Sequence, residues 1–93
     1  MNENTLLEAR KLIAGFISQR RKELKMTQEE LAQKTNLGIA TIKRFEAGKF
    51  WINLQTLLVI CNSLDMYFFL GEKESEKEFA KVMYDRWGNV NKN

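Results

Sequence analysis

"TQEELAQKTNLGIATIKRFEAGK", residues 27–49, holds two helix starts and two helix stops in one short stretch. Thr27-Gln28-Glu29-Glu30 reads as a capping box: the Thr27 hydroxyl accepts from the Glu30 N–H while the Glu30 carboxylate reaches back to the Thr27 N–H. Met26 and Leu31 flank it as a hydrophobic staple. The spacing predicts a helix to about Thr35, where Asn36 can adopt the left-handed conformation that ends it. Gly38 is an acceptable N-cap for a second helix, with Leu37 and Ile42 as its staple, and Gly48 can serve as the residue just past its end. Within that second helix Ile39 and Ala40 stand together, out of step with the apolar spacing of Leu37, Ile42 and Phe45. Lys43, Arg44 and Lys49 surround them.

Outward from this stretch the same periodicity continues. Upstream, Thr5-Leu6-Leu7-Glu8 reads as another capping box, and Ala9, Ile13, Phe16, Ile17 and Leu24 recur at helical spacing. Downstream, Asn53 caps a fourth helix with Leu54, Leu57, Leu58, Cys61 and Leu64 expected on its core side. "MYFFLGE", residues 66–72, has no cap and is rich in β-forming aromatics. It reads either as a short strand, which needs a partner such as the same segment of a second copy, or as a helix packed on the core. Glu72 to Trp87 reads as an amphipathic helix: Phe79, Val82, Met83, Arg86 and Trp87 line one side, and Glu74/Lys77 and Glu78/Lys81 pair on the other. "GNVNKN" at the end reads as a frayed tail. The expectation is an all-α bundle of about five helices, with residues 1–65 as one domain and 66–93 as an extension.

Composition agrees. Ninety-three residues make one small domain, and a chain of this size often gains stability by pairing with a second copy. There is no Pro, Gly is sparse, and Leu, Lys, Glu and Gln are frequent, which favours helices. No run approaches the ~20 apolar residues of a membrane span, and no signal peptide is expected. The single Cys, Cys61, cannot form an internal disulfide. It reads as a small core residue in a reducing cytoplasm.

The net charge of +3 is unevenly spread: residues 10–49 hold ten Lys/Arg against four Asp/Glu. Such a basic half points to a polyanion partner, nucleic acid being the commonest; a solvated surface is the alternative. Enzyme readings fare poorly. The absence of His removes the commonest general base and metal ligand, and one Cys without His leaves no usual zinc site. Gly48-Lys49 is followed by Phe50 and lacks the upstream Gly of a phosphate loop, and no acidic calcium loop occurs. Neither cofactor nor metal is expected.

Two short helices joined by three residues including a Gly are a helix-turn-helix. The residues go further. "RRKELKMTQEELAQKTNLGIATIKRFEAGK" followed by "LQTLLVICNSLD" resembles the DNA-binding domain of the phage repressor and Cro family, also called the Xre family, over residues 13–65. Its most specific blocks are Thr27-Gln28-x-x-Leu31-Ala32, Ile42-x-x-Phe45-Glu46-x-Gly48 and Leu54-x-x-Leu57. "TQEELAQK", "ATIKRFE" and "SLDMYFFL" also resemble the antitoxin of Hip-type toxin–antitoxin pairs, where a short strand after the fourth helix pairs across a dimer.

The resemblance implies roles. Arg21 would pair with Glu46 and tie the recognition helix to its scaffold. Thr27 and Gln28 would meet phosphate or a base edge, and Gly38, Ile39, Ala40, Lys43 and Arg44 would face bases and nearby phosphates. Apolar side chains can read thymine methyls, and Arg prefers guanine O6 and N7. Ile39 has a second reading, folded under the helix into the core; Lys43 and Arg44 have phosphate as theirs. Lys49 would hold phosphate, with Arg20, Lys22 and Lys25 as looser candidates. Apart from the resemblance, Met66, Phe68, Leu70, Phe79, Met83 and Trp87 are the expected dimer or partner contacts; the stripe of the last helix has closure of the chain's own core as its other reading. The functions implied are a dimeric repressor reading an inverted repeat (an autoregulating antitoxin with a cognate toxin, a phage repressor or a restriction–modification controller) or a protein-interaction module on the same scaffold.

Overall fold

The computed structural model describes residues 1–70, which form four helices: α1 (Glu3–Glu23), α2 (Gln28–Thr35), α3 (Ile39–Glu46) and α4 (Leu54–Ser63). No strand occurs among the described residues. α2 packs against both α3 and α4, and α1 packs against α3. Each helix sends apolar residues to one core: Ile17 from α1, Leu31 and Ala32 from α2, Ile42 and Phe45 from α3, Ile60 and Cys61 from α4, and Leu64 just past it. Leu31, Ile42, Ile60 and Leu64 are fully buried, and each such side chain contributes roughly 1.5–3 kcal/mol by leaving water. Burial pushes the Cys61 thiol up from its ordinary range, so it stays protonated and serves as packing.

The helix ends repeat one device. A residue in the left-handed region follows each helix: Lys25 (φ 56°), Asn36 (φ 58°), Gly48 (φ 71°) and Asp65 (φ 55°). The next N–H then reaches back to close the turn: Met26 to the Arg21 carbonyl at 3.1 Å, Leu37 to Ala32 at 3.0 Å, Lys49 to Arg44 at 3.3 Å and Met66 to Cys61 at 2.8 Å. This pattern satisfies carbonyls that a helix end leaves open. The expected stops at Asn36 and Gly48 are thus present; Lys25 and Asp65 are side chains the sequence does not flag for this backbone. A side chain there costs about 1–2 kcal/mol through the clash of Cβ with the carbonyl. Lys25→Gly should therefore raise stability by about 0.5–1 kcal/mol, less than the full relief because Gly loses more freedom on folding. Urea unfolding reads this directly, and an unchanged midpoint would show that the turn holds no strain.

The starts at α2 and α4 match the expected caps. Thr27 and Glu30 exchange both bonds of the capping box at 3.0 Å. Asn53 Oδ1 accepts from the Thr56 N–H at 2.7 Å. α1 differs. Asn2, not Thr5, is its N-cap, with Oδ1 accepting from the Thr5 N–H at 2.8 Å and the Thr5 hydroxyl at 2.9 Å. Asn is among the best N-caps, and beginning at Glu3 lengthens the helix.

α4 also differs. Leu57, Cys61 and Leu64 face inward as expected and are joined by Ile60, but Leu54 and Leu58 are exposed. The helix is apolar on most sides, so spacing alone does not select the inward stripe. Met66–Leu70 forms neither strand nor helix in the single chain. Met66 packs against the core while Tyr67, Phe68, Phe69 and Leu70 stay exposed. The fifth helix expected over 72–87, with Phe79, Met83 and Trp87, lies outside the described residues. No helix among those described is long and apolar enough to cross a membrane.

Candidate nucleic-acid interface

The position of α3 is set by an ion pair under it. Arg21, buried on α1, donates from Nε to Glu46 Oε2 at 2.8 Å and from Nη2 to Oε1 at 2.9 Å, while Nη1 donates to the Met26 carbonyl at 2.7 Å. The fork therefore grips the last residue of α3 and the loop that leads into α2. Gln28 completes the cluster, its Nε2 donating to Glu46 Oε1 at 3.2 Å. Bonding to the Glu46 carboxylate holds the Arg21 guanidinium above its usual range, against the opposing cost of burial. Three elements, α1, α2 and α3, meet at one carboxylate, so the angle between the two motif helices is tied to the scaffold.

The outward face of α3 follows from its inward one. Ile42 and Phe45 are buried, which turns Ala40, Lys43 and Arg44 to solvent. Gly38 at its start is exposed and supplies no side-chain cap. Ile39 is half-buried and packs against the core, so its body lies on the scaffold side at the rim of the exposed face. Thr27 and Gln28 lie at the start of α2. The Thr27 hydroxyl accepts from Glu30 yet keeps its own O–H to donate to a phosphate. One N–H of the Gln28 amide is committed to Glu46, leaving a second N–H and the carbonyl.

The basic residues sort into two groups. Lys22, Lys25, Lys43, Arg44 and Lys49 are exposed. Arg20 and Arg10 are tethered. Arg20 donates to the Leu64 carbonyl at 3.0 Å and pairs with Glu23 at 3.7 Å, which makes it a brace for the end of α4. Arg10 Nε donates to the Gly48 carbonyl at 2.8 Å. Its role is invisible in the sequence, because the partner is a backbone atom 38 positions away. The turn it holds is crowded: a Cβ on Gly48 would stand 3.2 Å from Lys11 Cγ, on a backbone at φ 71°. Past this turn Phe50, also not singled out by the sequence, places its ring 4.9 Å from the Arg44 Cζ.

Two short helices at a fixed angle, the second presenting an exposed basic face beside a helix start rich in donors, define a helix-turn-helix DNA-binding domain. The helix-turn-helix family model matches residues 17–68, more than half of the chain, and the chain belongs to this Xre/Cro-type family. It is accordingly a DNA-binding regulator of transcription in kind. No curated protein matches the chain significantly.

Proposed function

We propose that the chain is a sequence-specific repressor that binds an inverted-repeat operator as a twofold dimer, with α3 in the major groove. The observation that carries this is the exposed trio Ala40, Lys43 and Arg44 on a helix anchored by the Arg21–Glu46–Gln28 cluster. Ala40 lets the helix approach base edges, Ile39 and Ala40 offer methyl contacts to thymine, and Lys43 and Arg44 supply donors. Thr27, Gln28, Gly38 and Lys49 bind the flanking phosphates. Selection from a random duplex library tests it. An enriched site with two half-sites about 34 Å apart, bound more weakly as salt rises, is the expected result. Binding that depends on salt but not on sequence would refute the repressor reading.

The dimer contact uses Met66, Phe68 and Leu70, together with Phe79, Met83 and Trp87 of the extension. One recognition helix contacts too few base pairs for selectivity among genomic sites. Exposed Leu54, Leu58 and Val59 on α4 extend the apolar surface. Asn62 joins it to the tail, since it lines both the α4 groove and the pocket formed with Asp65, Met66 and Tyr67. Full-length protein should sediment as a dimer at micromolar concentration, and Phe68→Asp should shift it to monomer without unfolding it. A wild-type chain that is monomeric both free and on DNA would refute the dimer.

An exposed apolar surface on α4, outside the recognition helix, also suits a protein partner. On that ground the repressor is read as an autoregulating antitoxin, acting in the cytoplasm beside a cognate toxin. A toxin gene next to this one, whose product binds the chain in a purified mixture, is the expected finding. A phage operon or a restriction–modification operon in that place would give the same repressor another task.

A further inference from the structure

Arg44 and Phe50 are six positions apart across the Gly48 turn, yet the ring lies over the guanidinium at 4.9 Å. Phe50 is half-buried and packs against the core. It is therefore a fixed platform, whereas Arg44 is an exposed side chain with several rotatable bonds. The turn fixes their meeting: Lys49 N–H bonds to the Arg44 carbonyl at 3.3 Å, and Arg10 holds the Gly48 carbonyl. A guanidinium over a ring can stack through its planar face, and in that arrangement its N–H edge is left to make a forked contact elsewhere.

We propose that Phe50 is a positioning residue that holds Arg44 for a forked contact with a guanine edge. This rests on the reading of α3 as the base-contacting helix. An exposed Arg must otherwise give up most of its rotamer freedom on binding. A platform that orders it beforehand removes part of that loss, and does so only for the geometry in which O6 and N7 of one base meet the fork. Phe50 thus acts on specificity at one base pair rather than on affinity for DNA in general. The alternative is that Phe50 only plugs the core and Arg44 drapes over it.

The test uses the full-length protein and the site selected by the wild type, compared with sites changed at one base pair. Phe50→Leu keeps apolar packing but removes the ring face. It should cut the preference for guanine at the Arg44 position about 3- to 10-fold, in line with a cation–π contact plus lost ordering. Phe50→Tyr should keep that preference. In an Arg44→Ala background Phe50→Leu should change it no further. If Phe50→Leu weakens all sites equally, or adds independently to Arg44→Ala, Phe50 is packing alone and the proposal fails. In the DNA-free protein, proton NMR should show upfield-shifted Arg44 side-chain protons that move back in Phe50→Leu. Unshifted protons in the wild type would overturn the contact whatever the DNA results. If the wild type selects no site while the shift is present, it is the reading of α3 that fails, not the contact.

Discussion

Glu46→Ala should destabilise the domain by about 3 kcal/mol or more, the largest effect expected of any single substitution outside the apolar core. The pair is shielded: the Arg21 and Glu46 side chains are only 10% and 4% exposed. Removing the carboxylate strips Arg21 of its two bonds to Glu46, leaving the one to the Met26 carbonyl, and strips Gln28 of one. A buried guanidinium without its anion keeps the full cost of leaving water, which is why breaking one side is worse than never having the pair. Total stabilities run to about 5–15 kcal/mol, so this loss is a large share for so small a domain. Arg21→Met combined with Glu46→Leu should be milder than Glu46→Ala, since apolar side chains of similar size leave no orphan charge. Arg21 is held protonated above its usual range. Its share is therefore present in full at neutral pH and is lost only on rising through that still higher pKa, far into alkali. Denaturant unfolding of the three proteins checks the order, and a Glu46→Ala midpoint equal to the wild type would show that the pair contributes nothing.

Arg44→Ala should weaken binding to the selected operator by about 1–3 kcal/mol and relax the preference at one base pair in each half-site. The fold should be unchanged, because Arg44 is exposed and its side-chain contact among the described residues is the ring of Phe50. Titrations at several salt concentrations separate base reading from phosphate holding. A base-reading Arg44 changes the spread of affinities among sites. A phosphate-holding one lowers them all together and reduces the salt slope by about one. The second pattern would transfer the direct reading to Lys43 and the apolar pair at 39 and 40.

The boundaries of α2 and the second motif helix were legible because capping is local. Thr27 and Glu30 are three residues apart, and each satisfies the other's backbone whatever the rest of the chain does. Asn36 and Gly48 were legible as stops for the same reason: both residue types tolerate the left-handed backbone. At α1 the expected cap was displaced. Thr5 and Asn2 can both cap a helix, and the choice of Asn2 lets α1 begin earlier.

By itself the sequence determined the helix-turn-helix, since its caps and stops follow from residue types within a few positions of one another; the residues expected to face DNA were implied by the family resemblance. Tertiary structure decided which of the apolar residues of α4 are left out: Leu57, Cys61 and Leu64 face in as expected, but an apolar helix offers several stripes, and packing brings Ile60 in and leaves Leu54 and Leu58 exposed. It also divided the cations. Arg10 and Arg20 brace carbonyls at the ends of α3 and α4, whereas Lys43, Arg44 and Lys49 are left to solvent. Charge is read from the sequence as a count. Which charges are free to meet DNA depends on distances across the fold, and those exist only once Gly48 has turned the chain back beneath Arg10 and set Phe50 against Arg44.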